Sequence, residues 1–204
     1  MISWEEVVAL LVFAFASVWT PGPNNILLVS SGARFGFRKT IPHALGVALG
    51  FPTMVFLLAL GLGELFQTQP WFQQTLRIVG TVVLGWICWR IATLPFPDED
   101  GSGQYQVGKP WSFLQATAFQ WINPKAWALS VTVISAYARG ENLLYEALLC
   151  ALPFVVAGLI SAHGWTLFGT LIRGFLSTPL RFRVYNLIMG ALVGISGVFL
   201  FFNV

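Results

Sequence analysis

Thr20-Pro21-Gly22-Pro23-Asn24-Asn25 lies inside Val7–Ala33, a run of 27 residues with no Asp, Glu, Lys or Arg. Such a run can cross a bilayer, which takes ~20 residues at ~1.5 Å rise each. Two prolines around a glycine cannot carry a helix through its middle. Backbone left unpaired at membrane depth is tolerated only where protein or a water-filled cavity satisfies it. The stretch therefore reads as a break, with Pro23 opening a second half-helix and Asn24 and Asn25 in its first turn. Asn123-Pro124-Lys125 has the same character, an N-cap followed by Pro at the first helical position. A tryptophan precedes each break, and the offsets Trp19→Trp121 (102) and Pro23→Pro124 (101) nearly agree.

The rest of the chain fits this setting. Of 204 residues, 56% are hydrophobic and 9% charged, with a mean hydropathy of +0.75, against about 25% charged in soluble domains. That composition excludes a water-soluble enzyme and a disordered chain, and also a nucleic-acid binder despite a pI near 9.1. Three further uncharged windows are long enough to span: Thr40–Gly63, Ala147–Ile172 and Val184–Val204. Trp71–Leu94, with Arg77 and Arg90 placed to snorkel at its two ends, and Pro110–Ala138 complete six spans. The segment 95–111, rich in Pro, Gly and charge, separates an N-terminal repeat, 1–94, from a C-terminal one, 112–204. Three spans per half require the halves to be inverted relative to each other. The expected fold is thus an all-α membrane protein, six transmembrane helices in two inverted three-helix repeats, with spans one and four broken at the Pro/Asn motifs.

Orientation follows from Lys and Arg. With the N-terminus outside, inner loops carry eight of them and outer segments two, Arg77 and Arg139, while Lys125 lies within a span. Both termini are therefore expected outside and the linker 95–111 in the cytoplasm. The basic balance concerns topology, not partners; membrane lipid is the expected surrounding and no nucleic acid is an expected partner.

Paired helix breaks point to a binding site. Lys125 adds a full positive charge where the helix dipole already disfavours one. A substrate carboxylate would compensate it, because helix N-termini bind anions through free N–H groups; the alternative is a lysine that caps carbonyls or snorkels to water. Pro23, Asn24, Asn25, Asn123, Pro124 and Lys125 are the expected substrate-binding set, suited to a zwitterion whose ammonium meets unwound carbonyls and Asn oxygens. For Asn24 and Asn25 the alternative is a kink sealed by Asn–backbone bonds. His163, near the middle of a span, is either a proton-relay candidate beside Lys125 or a neutral His bonded to a neighbouring helix. Trp19, Trp121 and Trp127 either line a cavity or face lipid. Gly46/Gly50 and Gly190/Gly194 have the spacing of close helix contacts. No Asp or Glu lies deep in a span, which argues against a carboxylate-based sodium or metal site and against an intramembrane hydrolase. No metal or cofactor is expected.

Thr20-Pro21-Gly22-Pro23-Asn24-Asn25-Ile26-Leu27, Gly32…Gly36-Phe37-Arg38, Leu45-Gly46…Gly50-Phe51, Gln120-Trp121-Ile122-Asn123-Pro124-Lys125-Ala126 and Asn186-Leu187-Ile188-Met189-Gly190 resemble the lysine exporter superfamily, in its homoserine/threonine exporter branch. Within that branch, Pro23-Asn24-Asn25 and Gly85-Trp86…Trp89-Arg90-Ile91-Ala92 look similar to cysteine and O-acetylserine exporters. The resemblance implies a non-enzymatic secondary transporter of the bacterial inner membrane that exports small amino acids coupled to protons, possible homo-oligomer formation included. A passive pore is the rival reading, because Pro-broken spans also line channels.

The charge bias makes a direct prediction. In whole cells, an impermeant thiol reagent reaches a cysteine introduced at Ile2 or Thr68 but not one at Ser102. Labelling of Ser102 alone overturns the orientation.

Overall fold

The computed structural model describes residues 3–63, 69–94, 96 and 109–203, and every regular element among them is helical. Helix α1, Trp4–Trp19, starts at a reciprocal cap: the Glu6 N–H donates to the Ser3 hydroxyl and the Ser3 N–H to the Glu6 carboxylate. Helix α2 covers Pro23–Phe35 and α3 Phe37–Leu57, the latter running into a π turn at Leu58–Leu62. Gly36 joins them at φ 79°, a conformation that L side chains resist, so the corner needs a glycine. Helix α4 spans Pro70–Ala92. Helix α5, Phe113–Phe119, opens on a second reciprocal cap, between Ser112 and Gln115, and tightens into a 3-10 turn at Gln120–Ile122. Then come α6, Pro124–Tyr137; α7, Leu143–Ile172; a 3-10 turn at Arg173–Leu176; and α8, Pro179–Asn203.

Three of these helical stretches are long and apolar enough to cross a membrane: Phe37–Leu62, Gln74–Ala92 and Leu143–Leu176. Counted as one span, the bent pair α1–α2, at 54°, makes a fourth. Large apolar side chains cover the outside, Leu114 74%, Leu180 72% and Leu171 70% exposed among them, which suits a lipid-facing surface. Most of the linker expected at 95–111, namely 95 and 97–108 with Asp98-Glu99-Asp100, lies outside the described residues, as do Ile2 and Thr68.

Helix α7 is the central element, packing on α1, α2, α3 and α6, while α4 and α8 pair alongside. Its buried residues Ala147, Cys150, Ala151, Phe154, Ala157, Gly158, Ser161 and Ala162 recur at three- and four-residue spacing, and most are small, so neighbouring backbones come close. Gly46 and Gly50 seat α3 on α5 at Ala116 and Thr117, and Gly190 and Gly194 seat α8 on α4 at Cys88. Helices α2 and α7 also cross closely. A Cβ on Gly169 would collide with the Val29 backbone, and one on Gly32 with the Thr166 carbonyl. At the loop ends, Arg139 pairs with Glu6 at 2.8 Å, and the Glu146 carboxylate accepts the N–H groups of Gly140 and Glu141 at 2.9 and 3.0 Å, closing the turn between α6 and α7.

Close packing of α2 on α7 is testable by comparing glycines. Gly169→Ala should lower thermal stability in detergent by about 1–3 kcal/mol through overpacking. Gly85→Ala, where an added Cβ meets nothing, should leave stability unchanged or raise it by up to ~1 kcal/mol. Equal melting of the two variants would refute the crossing.

Candidate functional site

Both breaks form, and they face each other. Helix α1 stops at Thr20, and the chain passes through Gly22 in fully extended conformation (φ −169°, ψ 178°) before Pro23 starts α2. On the other side, Asn123 (φ −87°, ψ 112°) interrupts the path between the 3-10 turn and α6. Its side-chain oxygen caps α6 by accepting the Lys125 N–H at 3.2 Å. Among the described residues no side chain caps α2, and since Pro23 has no N–H and that of Ile26 donates to the Gly22 carbonyl, the N–H groups of Asn24 and Asn25 remain for another acceptor.

Side chains close the gap where backbone pairing fails. Asn25 donates from Nδ2 to the carbonyls of Val18 (3.0 Å) and Thr20 (2.9 Å), and the Ser161 hydroxyl of α7 donates to Val18 as well (2.9 Å). Lys125 reaches across the cleft and donates from Nζ to the Thr20 carbonyl. Its ammonium thus starts in the first turn of α6, which repels it, and ends at the C-terminus of α1, which attracts it. The stem passes over Gly22, where a Cβ would stand 2.9 Å from Lys125 Cδ. Asn24 donates to Gln120 Oε1 at 2.8 Å, and Gln120 Nε2 donates to the Ala116 carbonyl at 2.7 Å. Two residues remote in sequence therefore tie the first break to the second.

Together these groups surround a cleft with about 520 Å³ of empty space, open solvent at its mouth included. Asn24, Asn25, Gln120, Asn123, Lys125 and Ser161 supply its polar lining, Phe51 and Phe154 much of its apolar wall. None of the described lining residues is Asp or Glu. The cleft can offer one ammonium and helix N–H groups to an anion, and amide, hydroxyl and carbonyl oxygens to a donor.

A family model described as LysE type translocator matches residues 15–203. The chain belongs to the LysE translocator family. Among curated proteins, it is 34% identical over 135 residues to the cysteine/O-acetylserine efflux protein of Escherichia coli (strain K12) and 32% identical over the same length to that of Salmonella typhimurium (strain LT2). Each alignment spans 66% of this chain and 66% of the relative, just under two thirds of either. No solved structure matches.

Within this family member, the six residues expected from the breaks come together, four of them lining the cleft: Asn24, Asn25, Asn123 and Lys125. Pro23 and Pro124 set the two half-helix starts. The remaining candidates sit elsewhere. His163 stays on its own helix, Nδ1 2.7 Å from the Leu159 carbonyl and its ring 6.0 Å from Phe37. Trp127 Nε1 donates to the Trp121 carbonyl at 2.8 Å, their rings edge to face. Trp19 stacks near Trp165 over Gly164. None of these four lines the cleft. Sequence reasoning passed over Gln120 and Ser161. Each is an uncharged polar residue in an apolar run, a signal that could have flagged both.

A double-mutant cycle tests the cross-break bridge. Asn24→Ala and Gln120→Ala, alone and together, should show about 0.5–1.5 kcal/mol of coupling in thermal stability. Strictly additive effects would mean that the two amides do not meet.

Proposed function

We propose that the chain is a secondary transporter that exports small amino acids or their derivatives across the bacterial inner membrane. The observation that carries this reading is the meeting of two helix breaks around one cleft, with the Lys125 ammonium and the uncapped start of α2 both facing it. A substrate carboxylate takes the place of the Thr20 carbonyl on Lys125 and accepts N–H groups from the first turn of α2. The substrate ammonium then meets the released Thr20 carbonyl and the amide oxygens of Asn24 and Gln120. Membership of the translocator family and similarity to cysteine/O-acetylserine efflux proteins support the same class of cargo.

The proposal includes six spans: α1–α2, α3, α4, α5–α6, α7 and α8. Inversion of the halves is supported by the pairing of helices. An inverted repeat equates α3 with α7 and α4 with α8, and each such pair packs together; it also equates α1 on α7 with α5 on α3, and both contacts occur. The reciprocal caps at Ser3 and Ser112, which open the two broken spans, fit the same equivalence. Alternating access then rocks one half against the other around the breaks. Both termini lie outside in this scheme.

Export is coupled to protons in this scheme, and Lys125 is the favoured coupling group. It lines the cleft, whereas the His163 ring bonds within its own helix. A lysine that gives up its proton between substrate loads links the two fluxes at one atom.

Proteoliposomes test these steps together. Lys125→Met should insert normally, because Asn25 still serves the Thr20 carbonyl, yet lose efflux by a factor of about 100, about 3 kcal/mol for a hydrogen bond to a charged group. Wild-type vesicles loaded with substrate should show accelerated counterflow of label and respond to an imposed pH gradient, as should His163→Gln. Wild-type transport in Lys125→Met would remove the assigned role, and absence of counterflow would favour a pore.

A further inference from the structure

The break cleft changes character along its length. Its polar end lies where Asn25, Ser161 and Lys125 serve the carbonyls of Val18 and Thr20. From Ser161 the lining runs along α7 through Gly158 to Phe154, seven residues or ~10 Å of helix. On α6 it passes from Lys125 to Leu129, one turn on, and α3 contributes Val47, Ala48 and Phe51. Beyond the polar end, none of these residues has a polar side chain. Their sizes matter as well. A Cβ on Gly158 would stand 3.1 Å from the Ala48 carbonyl oxygen, so α3 and α7 nearly touch there. One turn along each helix from that crossing stand two large side chains, Phe51 and Phe154, with their rings 5.1 Å apart and edge to face. Phe154 is fully buried and backed by Phe13 of α1, rings 6.3 Å apart. Held from behind, the pair forms a fixed wall across the apolar end.

An amino acid seated with its carboxylate on Lys125 and the start of α2 has this apolar end left for its side chain. A side chain that ends in a charge would lose its water there and meet no partner in the wall, which is costly. A bulky one would run into the rings. We propose that Phe51, Phe154 and Leu129 form the side-chain subsite of the cargo, and that it selects amino acids with short, uncharged side chains over those that end in an ammonium, a carboxylate or an aromatic ring. The subsite rests on the reading of this cleft as the cargo site. It adds to that reading the residues that set specificity: the polar end holds what all amino acids share, and the apolar end tells them apart.

Counterflow in proteoliposomes of the full chain tests the subsite, with L-cysteine, L-norleucine, L-lysine and L-phenylalanine compared in each preparation. Ratios of kcat/KM between two substrates do not depend on how much of a variant has folded. Wild type should prefer norleucine to lysine, which differs by its side-chain ammonium, and cysteine to phenylalanine, each by about 10-fold or more. Phe51→Ala empties the space of a phenyl ring and should raise the phenylalanine-to-cysteine ratio about 10-fold. Leu129→Phe, at a half-buried position, fills space and should lower the norleucine-to-cysteine ratio by a similar factor; it decides the matter even if Phe51→Ala fails to insert. Lysine carried as well as norleucine, or a ratio left unchanged in either inserted variant, would overturn the subsite and leave the carrier reading intact. Counterflow by none of the four would overturn the carrier reading, and the subsite with it.

Discussion

The carbonyls at the end of α1 are the point on which the structure turns. Pro21 and Pro23 have no N–H to offer, so the helix cannot end by ordinary backbone pairing in apolar surroundings. Val18 and Thr20 instead receive Asn25 from α2, Ser161 from α7 and Lys125 from α6. Three helices are thereby held against one helix end. The same bonds that close the break assemble the walls of the cleft.

This arrangement resolves the conflict posed by a lysine in the first turn of a helix. Read along the sequence, Lys125 opposes the dipole of α6 and invites an anion. In three dimensions, it also faces the negative end of α1 across the cleft. In the proposed cycle a substrate carboxylate takes the place of the Thr20 carbonyl on this lysine. A permanently unpaired ammonium would cost more.

Packing supports this by keeping α7 slender where others cross it. Gly158 lies against the Ala48 backbone of α3, Gly164 under Trp19 of α1, and Gly169 against Val29 of α2. Ser161, on the same helix, is thus delivered to the Val18 carbonyl. Helix α2 carries the consequences to its far end. Its first turn opens on the break cleft, and Arg34 in its last turn lines a second cleft with His43, Arg90 and Lys109.

Much of the break chemistry was legible in the sequence. Pro-Gly-Pro removes two N–H donors within three residues, and Asn-Pro is both cap and first helical position, so where the half-helices begin is a local matter. The family was legible for the same reason, because the stretches that carry the resemblance include those local breakers. Proline alone would have misled: Pro42, Pro52 and Pro153 all sit inside continuous helices, where the loss of one N–H is absorbed by a long helix packed on its neighbours. What only the tertiary structure decided was partnership. Asn24 with Gln120 lies 96 residues apart and Lys125 with Thr20 105, and nothing in either local sequence names the other. Nor did the sequence say that Arg34, His43, Arg90 and Lys109 would share one cleft. Local sequence sets which backbone groups go unpaired, and the crossing of helices sets which side chains are near enough to meet them.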